Sequence, residues 1–267
     1  MASLQEEIGY AAPHRLKPMN DVYLGTMGWS YSFWRLYEDL KNREYLKRYS
    51  EHFNSVEVNS TFYRIPRKSS AEDWRNQTPE EFKFSLKIPQ SISHSQALQY
   101  DPEKLDAFLD HIKPLGKKQG PLLIQLPPKL SSEHIKQLDT LLTQLQGSKT
   151  AVEFRHKDWF QESTYDLLRD HNTALVYAEH PWQPSADVET SDFTYIRLEG
   201  DRKKVNGETG KHEQDRSTYN NRWATKIIEQ SHDGRATYLY VSKYYSGYPP
   251  TDIQQIKTRL TSLKETQ

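Results

Sequence analysis

The stretch "SVEVNSTFYRIP", Ser55 to Pro66, opens as a strand in which Val56 and Val58 alternate with Glu57 and Asn59. One of its faces is apolar; the other carries a carboxylate and an amide. A chain of 267 residues can bury both faces of such a strand, and a buried carboxylate has to be paired or aimed into a site. Four other segments repeat the pattern. "KFSLKIP" sets Phe84 and Leu86 against Lys87, and "LLIQLPP" turns Gln125 to the polar face. "TAVEFRH" sets Val152 and Phe154 against Glu153 and Arg155, and "TYIRLEG" carries Arg197 and Glu199. In each case the polar groups stand near the carboxyl end of the segment.

Apolar, strand-like runs begin near Val22, Ser55, Phe82, Leu122, Ala151, Ala174, Phe193 and Thr237. Amphipathic helical patterns lie between most of them. Leu105, Phe108, Leu109 and Ile112 have the spacing of one helix face, and so do Ile135, Leu138, Leu141, Leu142 and Leu145. Tyr45 to Phe53, Tyr219 to Ile228 and Ile253 to Leu263 predict further helices. Ser69 with Glu72 reads as a capping box, and Pro249 to Asp252 as the start of the last helix. The stretch from Glu179 to Asp192 has no helical pattern. Residues 1–20, with Pro13 and Pro18 and no periodicity, read as an N-terminal extension, and residues 21–267 as one domain.

Eight strands with interleaved helices predict an α/β fold, a (β/α)8 TIM-type barrel without a regular helix between strands six and seven. The competing doubly wound sheet usually carries a glycine-rich phosphate turn after its first strand. "GTMGWS" (Gly25 to Ser30) has neither of the usual spacings, so no nucleotide cofactor is expected. In a barrel, Val56 and Val58 face the helices, while Glu57 and Asn59 face the axis and the mouth, where such folds keep their chemistry.

Lysine plus arginine equals aspartate plus glutamate, 36 each, so no global field draws the chain to nucleic acid or to an acidic membrane. Cysteine is absent, which excludes disulfides, thiolate metal sites and a cysteine nucleophile. No apolar run reaches bilayer length. A cytoplasmic protein with no membrane partner is expected, and nothing in the sequence sets an oligomeric state.

Glu57, Lys87, Glu153, Arg155 and Arg197 are the candidate catalytic residues. The alternative is a structural ion-pair network, with Glu57 bound to Lys87 and Glu153 to Arg155 or Arg197. Asn59, Gln125 and Glu199 share their face and are candidate binding groups. His94, His156 and His180 follow strand ends, but none has a ligand spacing on one element, so no metal site is expected. Trp29, Tyr63 and Trp159 are candidate stacking groups, each equally readable as a lid over the core. "GDRKKVNGETGK" (Gly200 to Lys211) gathers Arg202, Lys203, Lys204 and Lys211 around three glycines, with Lys243 in the following unit, as a phosphate loop would; a solvated, mobile basic loop is the alternative.

The motifs "GTMGWSYSFW" (Gly25 to Trp34), "SVEVNSTFYRIP", "FKFSLKIPQSISH" (Phe82 to His94), "LLIQLPP", "AVEFRHKDW" (Ala151 to Trp159) and "YIRLEG" run in order across nearly the whole chain after residue 20. In them the chain resembles the YecE-like family, domain of unknown function 72. The resemblance implies a TIM-type barrel and no particular reaction. This chain has Glu199 where the family usually has a histidine, and Ser242–Lys243 where it usually has two asparagines.

The expected function is an enzyme acting on a small anionic compound. Arg155, Arg197 and the Gly200–Lys211 loop would hold the anion, and Glu57 or Glu153 would move a proton with Lys87 as electrostatic partner. Desolvation is expected to raise one carboxylate's pKa while neighbouring bases keep the other ionised. Lys87, flanked by acids, is expected to stay charged and to be a poor nucleophile. Nucleic-acid binding through Trp and Tyr stacking, and anion binding without chemistry, are the alternatives.

Overall fold

The computed structural model describes residues 21–181, 185–231 and 234–265. The expected extension, residues 1–20, lies outside them. The strands are β1 (Val22–Thr26), β2 (Ser55–Val58), β3 (Lys83–Lys87), β4 (Gln119–Gln125), β5 (Thr150–Glu153), β6 (Ala174–Leu175), β7 (Tyr177–Glu179), β8 (Phe193–Leu198) and β9 (Ala236–Val241). The α-helices are α1 (Tyr45–His52), α2 (Ser60–Tyr63), α3 (Lys68–Asn76), α4 (Gln90–Ser93), α5 (Pro102–Ile112), α6 (Ile135–Gln144), α7 (Glu162–Asp170), α8 (Ser217–Ser231), α9 (Lys243–Ser246) and α10 (Pro249–Glu265). No helix occurs among the described residues between β7 and β8, as the sequence pattern implies.

Every pairing is parallel. The strands form a mixed α/β fold with two sheets, ordered β2-β3-β4-β5-β6 and β1-β9-β8-β7. Only Val176 separates β6 from β7, and its N–H donates to the Val152 carbonyl at 3.0 Å. The chain thus passes from one sheet to the other within a single extended segment. At the other side a lone parallel bridge, Met27 with Glu57, links the end of β1 to β2.

Side chains complete that second seam. Asn54 Oδ1 accepts from Leu24 N and Asn54 Nδ2 donates to the Val22 carbonyl, both at 2.8 Å. The buried Tyr49 hydroxyl accepts from Thr26 N at 2.8 Å and donates to the Ser55 carbonyl at 3.0 Å. Backbone groups that would otherwise need a ladder partner are satisfied in this way. Gly25 permits the close approach: a Cβ there would lie 2.0 Å from the Ser55 carbonyl oxygen.

The core divides with the period of the strands. Val22, Leu24, Val56, Val58, Phe84, Leu86, Leu122, Ile124, Val152, Leu175, Tyr177, Ile196, Leu198, Leu239 and Val241 pack with the helices. The residues between them, including Met27, Leu123, Ala151, Ala174, Val176, Ala178, Phe193, Tyr195, Tyr238 and Tyr240, form a separate cluster on the opposite face. This is the register expected for Val56 and Val58.

One helix start differs from the sequence pattern. The capping box expected of Ser69 and Glu72 does not form: α3 begins at Lys68 after an extended Arg67, and no side chain caps it. The turn that precedes α3 places Ser69 inside the first helical turn, where it has no Ncap geometry to exploit.

Candidate functional site

On the inner face the polar residues lie in two tiers. In the lower one, Ser85 Oγ meets the Tyr195 hydroxyl at 2.7 Å and Ser55 Oγ meets the Tyr240 hydroxyl at 2.6 Å. Burial pushes both tyrosines well above the ordinary phenol range, so they remain neutral donors. Above them, at the carboxyl ends of the strands, stand Glu57 from β2, Lys87 from β3, Gln125 from β4, Glu153 from β5 and Arg197 from β8. Arg155 and Glu199 lie two residues further along their own segments.

Arg197 is the hub. Its Nε and Nη2 hold the two Glu57 oxygens at 3.0 and 2.9 Å, a bidentate pair. Its Nη1 donates to both Glu153 and Glu199. Glu57 also accepts from the Tyr195 hydroxyl at 2.8 Å and from Asn59 Nδ2 at 3.0 Å. Arg155 donates to Glu153 Oε1 at 2.6 Å and to Glu199 Oε1 at 2.8 Å. Glu57, Glu153 and Arg197 are 0%, 1% and 3% exposed, so solvent screens these pairs little. Burial alone would raise the Glu153 carboxyl, but the Arg197 and Arg155 guanidinium groups outweigh it and hold the group well below the carboxylate range. Arg197 is held well above its usual range by Glu153, Glu199 and Glu57, against the cost of burial.

Lys87 departs from the expected pairing. Its Nζ reaches no carboxylate; it donates to Gln125 Oε1 at 2.7 Å and lies 4.0 Å from the centre of the Phe62 ring. Gln125 is oriented by its own Nε2, which donates to Glu153 Oε1 at 2.9 Å. A neutral amide thus stands between the lysine and the acids. Burial and the Arg197 charge push Lys87 down to about 8, with Glu57, Glu153 and Glu199 opposing. The carboxylates expected to flank Lys87 are thus taken by the arginines, and the lysine is lowered toward neutral pH while the ammonium still predominates below about 8. The expected carboxylate split shows only the lowered member, Glu153; the ammonium is the group brought near neutrality.

Part of this cluster faces a cleft of about 550 Å³, while Glu57 and Glu153, expected as catalytic, are buried beneath its lining. Asn59, Tyr63, Lys87, Gln125, Arg155, Arg197, Glu199, Arg202 and Lys243 line it. Tyr63 is 78% exposed at the rim. Arg202 lies 4.7 Å from the Tyr244 ring centre, and Lys243 pairs with Glu208 at 2.6 Å. Of the basic residues in the Gly200–Lys211 loop, only Arg202 reaches the cleft; Glu213 folds the rest back, accepting from Asn206 N, Gly207 N and the Thr209 hydroxyl.

Four expected binding residues do not line this cleft. Trp159 is fully buried, stacked on Phe154 at 4.8 Å, and donates to the Leu130 carbonyl at 2.7 Å; it is a core ring. Trp29 packs edge-on against Trp74. His156 Nδ1 accepts from Asp158 N at 3.3 Å and caps the following turn. His94 sits behind the lining, its ring against Phe62. Cleft residues without an assigned role in the sequence reading are Met27, Tyr31, Phe62 and Tyr244. Tyr195 was legible by alternation, standing two residues before Arg197. Burial and the neighbouring Tyr244 and Glu57 push Tyr31 up to about 12. Among the described residues no group of three His, Asp or Glu side chains is gathered to hold a metal ion, and no helix is long and apolar enough to cross a membrane.

The chain is similar to the UPF0759 protein YecE of Escherichia coli strain K12, 34% identical over 141 residues, which cover 52% of this chain and 50% of that protein. It is 29% identical over 153 residues to the UPF0759 protein YunF of Bacillus subtilis strain 168, covering 54% of each. The matches thus span about half the length of these relatives. A crystal structure of a DUF72 family protein from Thermotoga maritima superposes with TM-score 0.75 at 28% identity, covering 90% of this chain and 99% of that one. One from Enterococcus faecalis superposes with TM-score 0.76 at 20% identity, over 90% and 95%, which bears on the fold alone. The model of the family described as "Protein of unknown function DUF72" matches residues 23–267, and the chain belongs to that family.

Proposed function

We propose that the chain is a cytoplasmic (β/α)8-barrel enzyme that acts on a small phosphate- or carboxylate-bearing compound by acid–base chemistry at the carboxyl ends of its strands. The barrel reading is supported by the two seams: the unbroken segment through Val176 on one side, and the Met27–Glu57 bridge with the Asn54 and Tyr49 bonds on the other. The period-two division of the core supports an inner and an outer face.

The observation that carries the chemical reading is Lys87: a cleft-lining lysine, bonded to a neutral amide and lowered to about 8, beside carboxylates that are already committed to arginines. Glu57 and Glu153 both accept from guanidinium groups, and those groups hold Glu153 low, which makes it a poor proton carrier. Lys87 takes or gives the proton near neutral pH, the usual requirement for a general base or acid. Arg155, Arg202 and Lys243 hold the anion, as cations at strand ends do.

The test is the melting temperature in rising inorganic phosphate, for the wild type and an Arg202→Ala/Lys243→Ala variant. Preferential binding to the folded state stabilises it with concentration. The wild type should gain stability and the variant should gain less, from an unchanged starting temperature. No shift in the wild type with phosphate or small carboxylates would discard the reading. A larger, strongly salt-dependent shift with a single-stranded oligonucleotide would favour nucleic acid, for which the exposed Tyr63 at the rim is a stacking group.

A further inference from the structure

We infer that Lys87 is a nucleophile that forms a covalent imine with the carbonyl of a 2-oxo carboxylate held in the cleft. The inference rests on the proposed anion-binding cleft and names the substrate class.

The geometry is that of a chemically usable amine. Lys87 is largely buried but lines the cleft, which brings it beside a small molecule held there. It donates to Gln125 Oε1 at 2.7 Å, an acceptor that serves an amine as well as an ammonium. The amide cannot turn its nitrogen toward the lysine without giving up its 2.9 Å bond to Glu153. Glu153 is in turn committed to Arg155 and Arg197. The order lysine, amide, carboxylate, guanidinium therefore insulates the amine from a permanent counter-ion. It also places Arg155 at the end of a chain of hydrogen bonds of 2.7, 2.9 and 2.6 Å beginning at Lys87. Lys87 and Arg155 line the same cleft, so a carbonyl at Lys87 shares its site with a guanidinium that can take the adjoining carboxylate. Burial and Arg197 supply the neutral fraction of the amine at pH about 8, the desolvated, cation-flanked setting in which a lysine becomes nucleophilic. The Phe62 ring 4.0 Å away makes one wall of the amine's surroundings apolar, although its face also attracts the ammonium form.

In the step itself, the lone pair of the neutral Lys87 amine forms an N–C bond to the carbonyl carbon while the C=O π pair moves to oxygen. One amine proton passes to that oxygen, giving a carbinolamine. The oxygen takes a second proton from solvent, the C–O bond breaks, and water leaves as the nitrogen lone pair closes the C=N bond. The product is a protonated imine, with one water released and one proton taken up.

Incubating the full chain with pyruvate and sodium cyanoborohydride, followed by peptide mass mapping, tests this. One reduced pyruvate adduct is expected on the peptide carrying Lys87, forming faster as pH rises toward about 8 and slowed by added phosphate. Lys87→Arg keeps the cation and cannot form the imine, so it should lose that adduct. Lys87→Met is the second variant, should the arginine disturb packing. Adducts spread over surface lysines at equal rates, or an unlabelled Lys87 peptide, would overturn the inference. If phosphate still shifts the melting temperature in that case, the proposed anion site stands without the imine. If phosphate has no effect while Lys87 is labelled, the anion reading fails and the nucleophile remains.

Discussion

Arg197 shows how much of this site depends on single side chains. Its guanidinium touches Glu57, Glu153, Glu199 and the Met27 sulfur, all within the strand-end cluster. Replacing both members of a buried ion pair can be neutral, but removing one member leaves the other charge uncompensated, at a cost of about 3–5 kcal/mol. Arg197→Met should therefore lower the unfolding free energy by about that amount, read from urea midpoints at a common slope. Lys87 should behave in the opposite sense. Its pKa is lower folded, about 8, than the ordinary 10.5, so between those pH values the unfolded chain binds more protons. Stability contributed at this position thus rises as pH climbs through that window, and the cost of burying the charge is fully present below it. The wild type should gain on Lys87→Met between pH 7 and 10, measured by paired urea titrations; a flat difference would contradict the lowered lysine. Glu153 works at the acid end. Its folded pKa is depressed, so its stabilisation is present above the ordinary carboxylate value and is lost as pH falls through the folded value.

At the scale of elements, the seam between β1 and β2 is the weak place in the hydrogen-bonding pattern. One bridge, Met27 with Glu57, stands where neighbouring strands have ladders. The Tyr49 hydroxyl from α1 does the work of a strand partner for Thr26 and Ser55 and is wholly buried. Tyr49→Phe leaves a buried N–H and a buried carbonyl short of a bond, which costs about 1–3 kcal/mol. The loss should appear as a lower urea midpoint with the phosphate response intact, because Tyr49 does not line the cleft. Gly25→Ala is the steric counterpart: with a Cβ 2.0 Å from the Ser55 carbonyl oxygen, the two strands must part. Hydrogen exchange at Thr26 N should quicken in both variants.

For the whole molecule, local charge matters and total charge does not. Lysine plus arginine and aspartate plus glutamate balance at 36 each, yet Lys87, Arg155, Arg202 and Lys243 converge on one cleft. An anion in that cleft interacts with charges that are partly screened by solvent, so the phosphate-induced rise in melting temperature should shrink as sodium chloride goes from low to physiological strength. In crystals soaked with phosphate the ion should lodge against Arg155 or Arg202; an ion found only elsewhere on the surface would contradict the cleft as the site.

The alternation in "SVEVNSTFYRIP" and its four counterparts sufficed to assign which side chains face the helices and which face the polar cluster, because a strand has a fixed period of two and only one face is uniformly apolar. The parallel α/β character, and the lack of a helix among the described residues before Phe193, were legible for the same reason, since both follow from local pattern. Which charges pair was legible only in part. Glu153 pairs with Arg155 and Arg197 as the pattern suggested, but Glu57 is joined to Arg197, 140 positions away, and Lys87 is left to Gln125, because pairing depends on which strand ends meet at one depth. Trp159 is open in sequence to two readings, a stacking group or a lid over the core, and packing decides for the core by sealing it against Phe154 and Leu130. Residue type and period are properties of a segment; burial, partner choice and the lowered lysine arise when distant segments share one low-dielectric space, and that is decided by the tertiary structure.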